Sequence, residues 1–287
     1  MPHHHGATGS WEVSLPMTVV LLLMALVYLR AWIHLRSTVT TFSAWRAASF
    51  LLGLFLIWVA IASPLAALDH ELLTVHMIQH LLLMTLASPL IWLGEPVLVF
   101  SRGLPQRFVH ATEPVFHRRL VQYVGSIAVQ PKFALLAASA ALLGWHIPGA
   151  FALAMQSNAW HMVAHTSFLV TGLLFWWPVI QPWPNVARSE LSIILYLFFA
   201  TLPCDILSGF LVFCDRVVYP SYLSSSHLFG FSALGDQQCA AALMWTCVTM
   251  VYLVAGAILT MRMLSPQKAE THVSAATNFS GHRVEAV

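Results

Sequence analysis

The sequence predicts an all-α integral membrane bundle of seven transmembrane helices, and three observations carry that prediction. Hydrophobic residues make up 59% and charged residues 8% of the 287 positions, outside the range of soluble globular domains. Seven segments are apolar over about 20 residues, the helical length that crosses a hydrocarbon layer of about 30 Å. The few Lys and Arg residues collect in alternate connections between those segments.

Composition also excludes function classes. The thirteen Lys and Arg residues form no basic patch, so no nucleic-acid surface is expected. Cys204, Cys214, Cys239 and Cys247 contain no CxxC pair, and their spacing gives neither a redox motif nor a zinc knuckle. Cys214 and Cys239 fall near the same surface and are candidates for a disulfide, whereas Cys204 and Cys247 read as small buried hydrophobes. No P-loop, HExxH or Ser-His-Asp order occurs, and no nucleophile has a visible base, so the chain is not expected to be an enzyme.

Along the chain, residues 1–15 form a short N-terminal segment, 16–263 the membrane domain and 264–287 a polar, disordered tail. His3, His4 and His5 are either a metal-catching tail or an added tag and stay outside the site. No small-residue cleavage site follows the first apolar run, which is therefore read as a retained span. The spans are expected at 16–35, 43–63, 72–93, 128–148, 160–181, 190–213 and 239–263. Backbone groups in lipid must pair within their own segment, so each span is helical. Arg30, Arg36 and Arg46 flank the first link, and Arg102, Arg107, Arg118, Arg119 and Lys132 the third. The second link carries Asp69, His70 and Glu71, and the fourth, Gly149 to Ala159, has no Lys or Arg. Arg262, Lys268 and Arg283 follow the last span. The positive-inside rule then puts the N-terminus outside and the C-terminus in the cytoplasm, the parity that seven spans require. The third link, broken by Pro96, Pro105 and Pro114, is expected to lie along the cytoplasmic interface, where Trp176, Trp177 and Trp183 supply an aromatic belt.

With this orientation, a rise of roughly 1.5 Å per residue puts His76 roughly 6 Å and His80 roughly 12 Å below the outer surface. His146 falls in the last turn of span four, His161 at the start of span five and His165 roughly 8 Å deep. All five share the outer third of the bilayer, and four of them are i, i+4 pairs, each pair on one helix face. Imidazoles are costly in hydrocarbon, and their convergence at one depth points to a metal or cofactor site. Met84 extends the His76, His80 stripe, and Met244 lies two turns deeper than Asp236 and Gln237. Imidazole with thioether suits copper, Cu(I) above all. Asp236 is placed either to orient a ligating imidazole or to cap a helix. Two facing histidines could equally bind haem. Asp205, after Pro203 in span six, is an intramembrane carboxylate of the kind that serves as a proton relay, a polar partner or part of a transport path.

These residues together resemble the multi-spanning CtaG family of cytochrome c oxidase assembly factors, associated with caa-type oxidases. The matching pieces are His76-Met77-Ile78-Gln79-His80 with Ala87-Ser88-Pro89-Leu90, Trp145-His146-Ile147-Pro148, and His161-Met162-Val163-Ala164-His165 leading to Trp176-Trp177-Pro178. Tyr219-Pro220, Asp236-Gln237-Gln238 and Met244-Trp245 complete the set. The resemblance implies a multi-pass bacterial inner-membrane protein that helps build the oxidase. The reading it supports is a copper-binding assembly chaperone with oxidase subunits and a periplasmic copper donor as partners. A haem-binding membrane redox protein and a copper transporter are the alternatives. Ala164 stands where the family is expected to carry an acidic residue, so no carboxylate is expected from that position.

Overall fold

The computed structural model describes residues 14–38, 43–103, 123, 125–127, 130–180, 189–223, 230 and 232–264. The expectations for His3 to His5, the middle of the third link, Trp183 and the C-terminal tail lie outside these residues.

Ten α-helices are defined among the described residues: α1 Leu15–Thr38, α2 Ala44–Ile61, α3 Leu73–Leu81, α4 Ser88–Leu93, α5 Pro96–Gly103, α6 Pro131–His146, α7 Pro148–Gln156, α8 Asn158–Ile180, α9 Glu190–Phe213 and α10 Ala233–Leu264. A π-helical stretch, Leu82–Ala87, joins α3 to α4 in one span. Six stretches are long and apolar enough to cross a membrane, and the bent pair α6 and α7 makes a seventh. The protein is thus an all-helical membrane protein. Its last span begins earlier than the sequence suggests, at Ala233, so Asp236 and Gln237 sit in its first turn.

The fourth connection is itself largely helical. It is the helix α7, bent by 76° from α6 at Ile147. Pro148 lacks an N–H and clashes with a continuing helix, yet suits the first turn of a new one, so the chain turns here and restarts. Phe151 and Ala154 are the buried face of α7.

Packing divides the bundle into two cores. Tyr28, Phe50, Leu54 and Val99 knit α1, α2 and α5 onto one side of the α3 to α4 span. Tyr28 and Phe50 stack at 3.9 Å between centroids, and the Tyr28 hydroxyl donates to the Gly94 carbonyl at 2.7 Å. Glu95, held in the left-handed region at φ 48°, pairs with Arg46 at that same turn. On the other side, α6 to α10 pack around Met77, Phe175, Tyr196, Met244 and Tyr252. The span containing α3 therefore runs between the cores, against α10, α8 and α2.

The π stretch depends on its neighbours. It leaves carbonyls out of the regular ladder, and Ser88 Oγ donates to the Leu83 carbonyl at 2.7 Å while Trp176 Nε1 donates to that of Met84 at 3.1 Å. Gly172 of α8 lies directly against it. All four cysteines are free, so Cys214 and Cys239 do not pair. Helix α9 continues through Pro203 without ending.

Candidate metal centre

The site is built where α3 begins, α6 ends and α8 begins, all at the same end of the bundle. The first N–H groups of a helix have no partner within it, and those of α3 are taken up by Asp236 from α10. Leu73 N donates to Asp236 Oδ2 at 2.6 Å, Thr74 N to Oδ1 at 3.1 Å and Thr74 Oγ1 to Oδ1 at 2.6 Å. Asp236 is thus a cap, but of a different helix, and it fixes where the histidine helix starts.

From that start, His76 and His80 lie one turn apart with ring centroids 4.4 Å from each other. On α8, His161 and His165 repeat the arrangement at 4.3 Å. The pairs face each other: His76 stacks on His161 at 5.4 Å with planes 10° apart, and His80 meets His165 at 5.6 Å. His146, the last residue of α6, stands 6.1 Å from His80. All five rings are buried, His161 the least at 9% exposure. Phe151 packs on His76 at 5.1 Å and Phe168 on His80 at 4.1 Å, forming the apolar walls.

The loop residues close the end of the cluster. Tyr219 donates to the His146 carbonyl at 3.1 Å and Tyr222 to the Asp69 carbonyl at 2.7 Å. Burial pushes both phenols above the usual tyrosine range, so each stays protonated and keeps donating. Asp69 follows the 3-10 turn Pro64–Leu68 and is only 3% exposed. Its Oδ2 lies 3.5 Å from His161 Nε2, and its Oδ1 lies 3.6 Å from His70 Nε2. His70, with its side chain 49% exposed, marks the mouth. Asp69, His76 and His161 each offer a ligand atom within 4.8 Å of the others'.

Several atoms here have no hydrogen-bond partner despite full burial: His76 Nδ1, both His80 nitrogens and His165 Nε2. Each such atom costs about 1–3 kcal/mol of unrecovered desolvation. Coordinating a cation is a chemical use that would offset that cost, and imidazole with carboxylate is a donor set that metals accept.

Below the rings lies a cavity of about 40 Å³. His80 and His146 form its roof, with Met84 and Met244 on its walls beside Cys204 and Tyr252. The structure thus brings His76, His80, His146, His161 and His165 together and puts both expected methionines next to them. Asp236 takes up the start of α3, and Asp69 is the carboxylate that meets His161. Asp205 is half-buried on α9 with Oδ1 unpartnered, while its neighbours Pro203 and Cys204 line the cavity. Met77 is a further residue that sequence reasoning passed over, although it stands three positions before His80 and so on a neighbouring face.

A family model described as the cytochrome c oxidase caa3 assembly factor, Caa3_CtaG, matches residues 26–265. No curated protein and no solved structure matches the chain.

Proposed function

Because the chain belongs to the cytochrome c oxidase caa3 assembly factor family, we propose that it serves assembly of that oxidase by binding copper in the imidazole cluster and passing it on. The observation that carries this reading is the convergence of Asp69, His76 and His161, three buried ligands on three separate elements. His165 lies next inward beside His76, and His80 and His146 line the cavity beneath. Nitrogen ligands with thioethers nearby favour copper over the harder cations, and Cu(I) most of all. The proposed setting is the bacterial inner membrane with the histidine end facing the periplasm. Arg36, Arg46 and Arg102 lie at the opposite end of the bundle, as the positive-inside rule asks of a cytoplasmic face. Copper would then arrive from a periplasmic donor and leave to an oxidase subunit, with no covalent step at this protein.

Haem is a poor fit to the same residues. The rings stand 4.3–6.4 Å apart and the cavity holds about 40 Å³, whereas pockets for organic cofactors start at about 300 Å³.

The test is the copper content of purified protein in detergent. Asp69→Asn and His161→Ala should each lower affinity by at least ~10-fold, the least that loss of a ligand or its direct support costs, and the oxidase from cells carrying them should contain less copper. Unchanged copper in the double variant would overturn the proposal.

A further inference from the structure

We propose that the cavity beneath the imidazole cluster is a second and softer site, in which His146 Nε2 and Met77 Sδ form a ready ligand pair for Cu(I). This rests on the reading that the chain handles copper, and it adds a separate ion bound by a separate set of atoms.

The argument starts from one ring. His146 Nδ1 lies 2.6 Å from the Leu142 carbonyl oxygen. A carbonyl only accepts, so the proton of the neutral imidazole is on Nδ1, and Nε2 carries a lone pair. That lone pair faces Met77 Sδ at 3.3 Å. A thioether has no proton to give, so the contact is two acceptors face to face, and neither can donate to the other. Met77 is 1% and His146 5% exposed, and a 3.3 Å separation leaves no room for a water between them. A cation does relieve it. With metal–nitrogen and metal–sulfur bonds of roughly 2.0 and 2.3 Å, two ligands of one tetrahedral ion stand ~3.5 Å apart. The observed 3.3 Å is close to the edge of such a tetrahedron.

The remaining donors are nearby. His80 has both ring nitrogens unpartnered and its ring 6.1 Å from that of His146. Met84, Met244 and Cys204 line the same cavity, whose volume of about 40 Å³ accommodates an ion. Among the described residues, no carboxylate lines it. Imidazole and thioether without carboxylate select a soft monovalent ion, whereas the Asp69, His76, His161 set contains a hard oxygen and shares no residue with this one. Two sites of unequal softness, one at the mouth and one beneath it, follow from these two donor sets.

The full-length protein in detergent, loaded anaerobically with Cu(I), tests this by copper stoichiometry and X-ray absorption. The expected result is two copper ions per chain with sulfur in the copper shell. Met77→Leu conserves volume, and it should retain one copper with the sulfur signal lost or reduced at least twofold. Asp69→Asn with His161→Ala should retain one copper with the sulfur signal intact. Wild-type protein grown with selenomethionine should show copper–selenium scattering, which needs no variant to fold. One copper with only nitrogen and oxygen neighbours in the wild type overturns the second site and leaves the mouth site standing. Binding of no copper overturns both.

Discussion

Asp236 reaches from α10 to the first turn of α3, and one carboxylate there satisfies two backbone N–H groups and one hydroxyl. Asp236→Ala strands those buried donors and should cost about 2–3 kcal/mol. Asp236→Asn, which keeps one acceptor oxygen, should cost less. Thermal unfolding in detergent reads the difference, and equal midpoints for the alanine variant and the wild type would rule it out. The imidazoles themselves were legible from sequence, because helical rise converts residue number into depth. Asp69 was not. It lies in a connection, where depth arithmetic has no meaning, and only the 3-10 turn at Pro64–Leu68 carries it to His161. The role of Asp236 was half legible: its polarity announced a cap, but which helix it caps depends on how α10 leans on α3.

Among the elements, the π stretch Leu82–Ala87 is the one whose shape is set from outside. A π turn adds a residue and leaves carbonyls unpaired, so it persists where partners from neighbouring helices take them up. Trp176 does so for Met84, and Gly172 permits the close approach. A Cβ at Gly172 would sit 2.6 Å from Ser88 Oγ and 2.8 Å from Met84 Cα, the latter being backbone that cannot swing away. Gly172→Ala should therefore destabilise by about 1–3 kcal/mol, as overpacking does. Gly256→Ala in α10, where a Cβ meets nothing within 4 Å, should be neutral or slightly stabilising. Comparable losses in the two variants would refute this account. The kink before α7 was written in Ile147-Pro148, but that α7 folds over the site as a helix, bringing Phe151 onto His76, required the packing partners Tyr219 and Tyr222.

At the scale of the whole molecule, the two cores imply a division of labour. The histidine cluster belongs to the side built from α3 and α6 to α10, while α1, α2 and α5 brace the far end of the α3 to α4 span. Removing the Tyr28 hydroxyl, which donates to the Gly94 carbonyl at 2.7 Å, tests the separation. Tyr28→Phe should lower stability by about 1–2 kcal/mol while leaving copper content as in the wild type. A parallel fall in copper would show that the cores act as one. The apolar runs were enough to locate the spans, but they could not say which helices touch.

By itself the sequence determined the helical membrane class, the approximate positions of the spans, with the last begun six residues late, and the gathering of five histidines at one end of the bundle. Those properties follow from local physics: backbone groups in lipid must be paired within the segment, and the rise per residue is then fixed. Tertiary structure alone decided that Asp69 joins His76 and His161, that Asp236 serves α3, and that Met77 rather than a more distant methionine faces His146. These depend on the rotation of each helix about its axis and on the course of the connections, which are set by contacts between residues far apart in the chain.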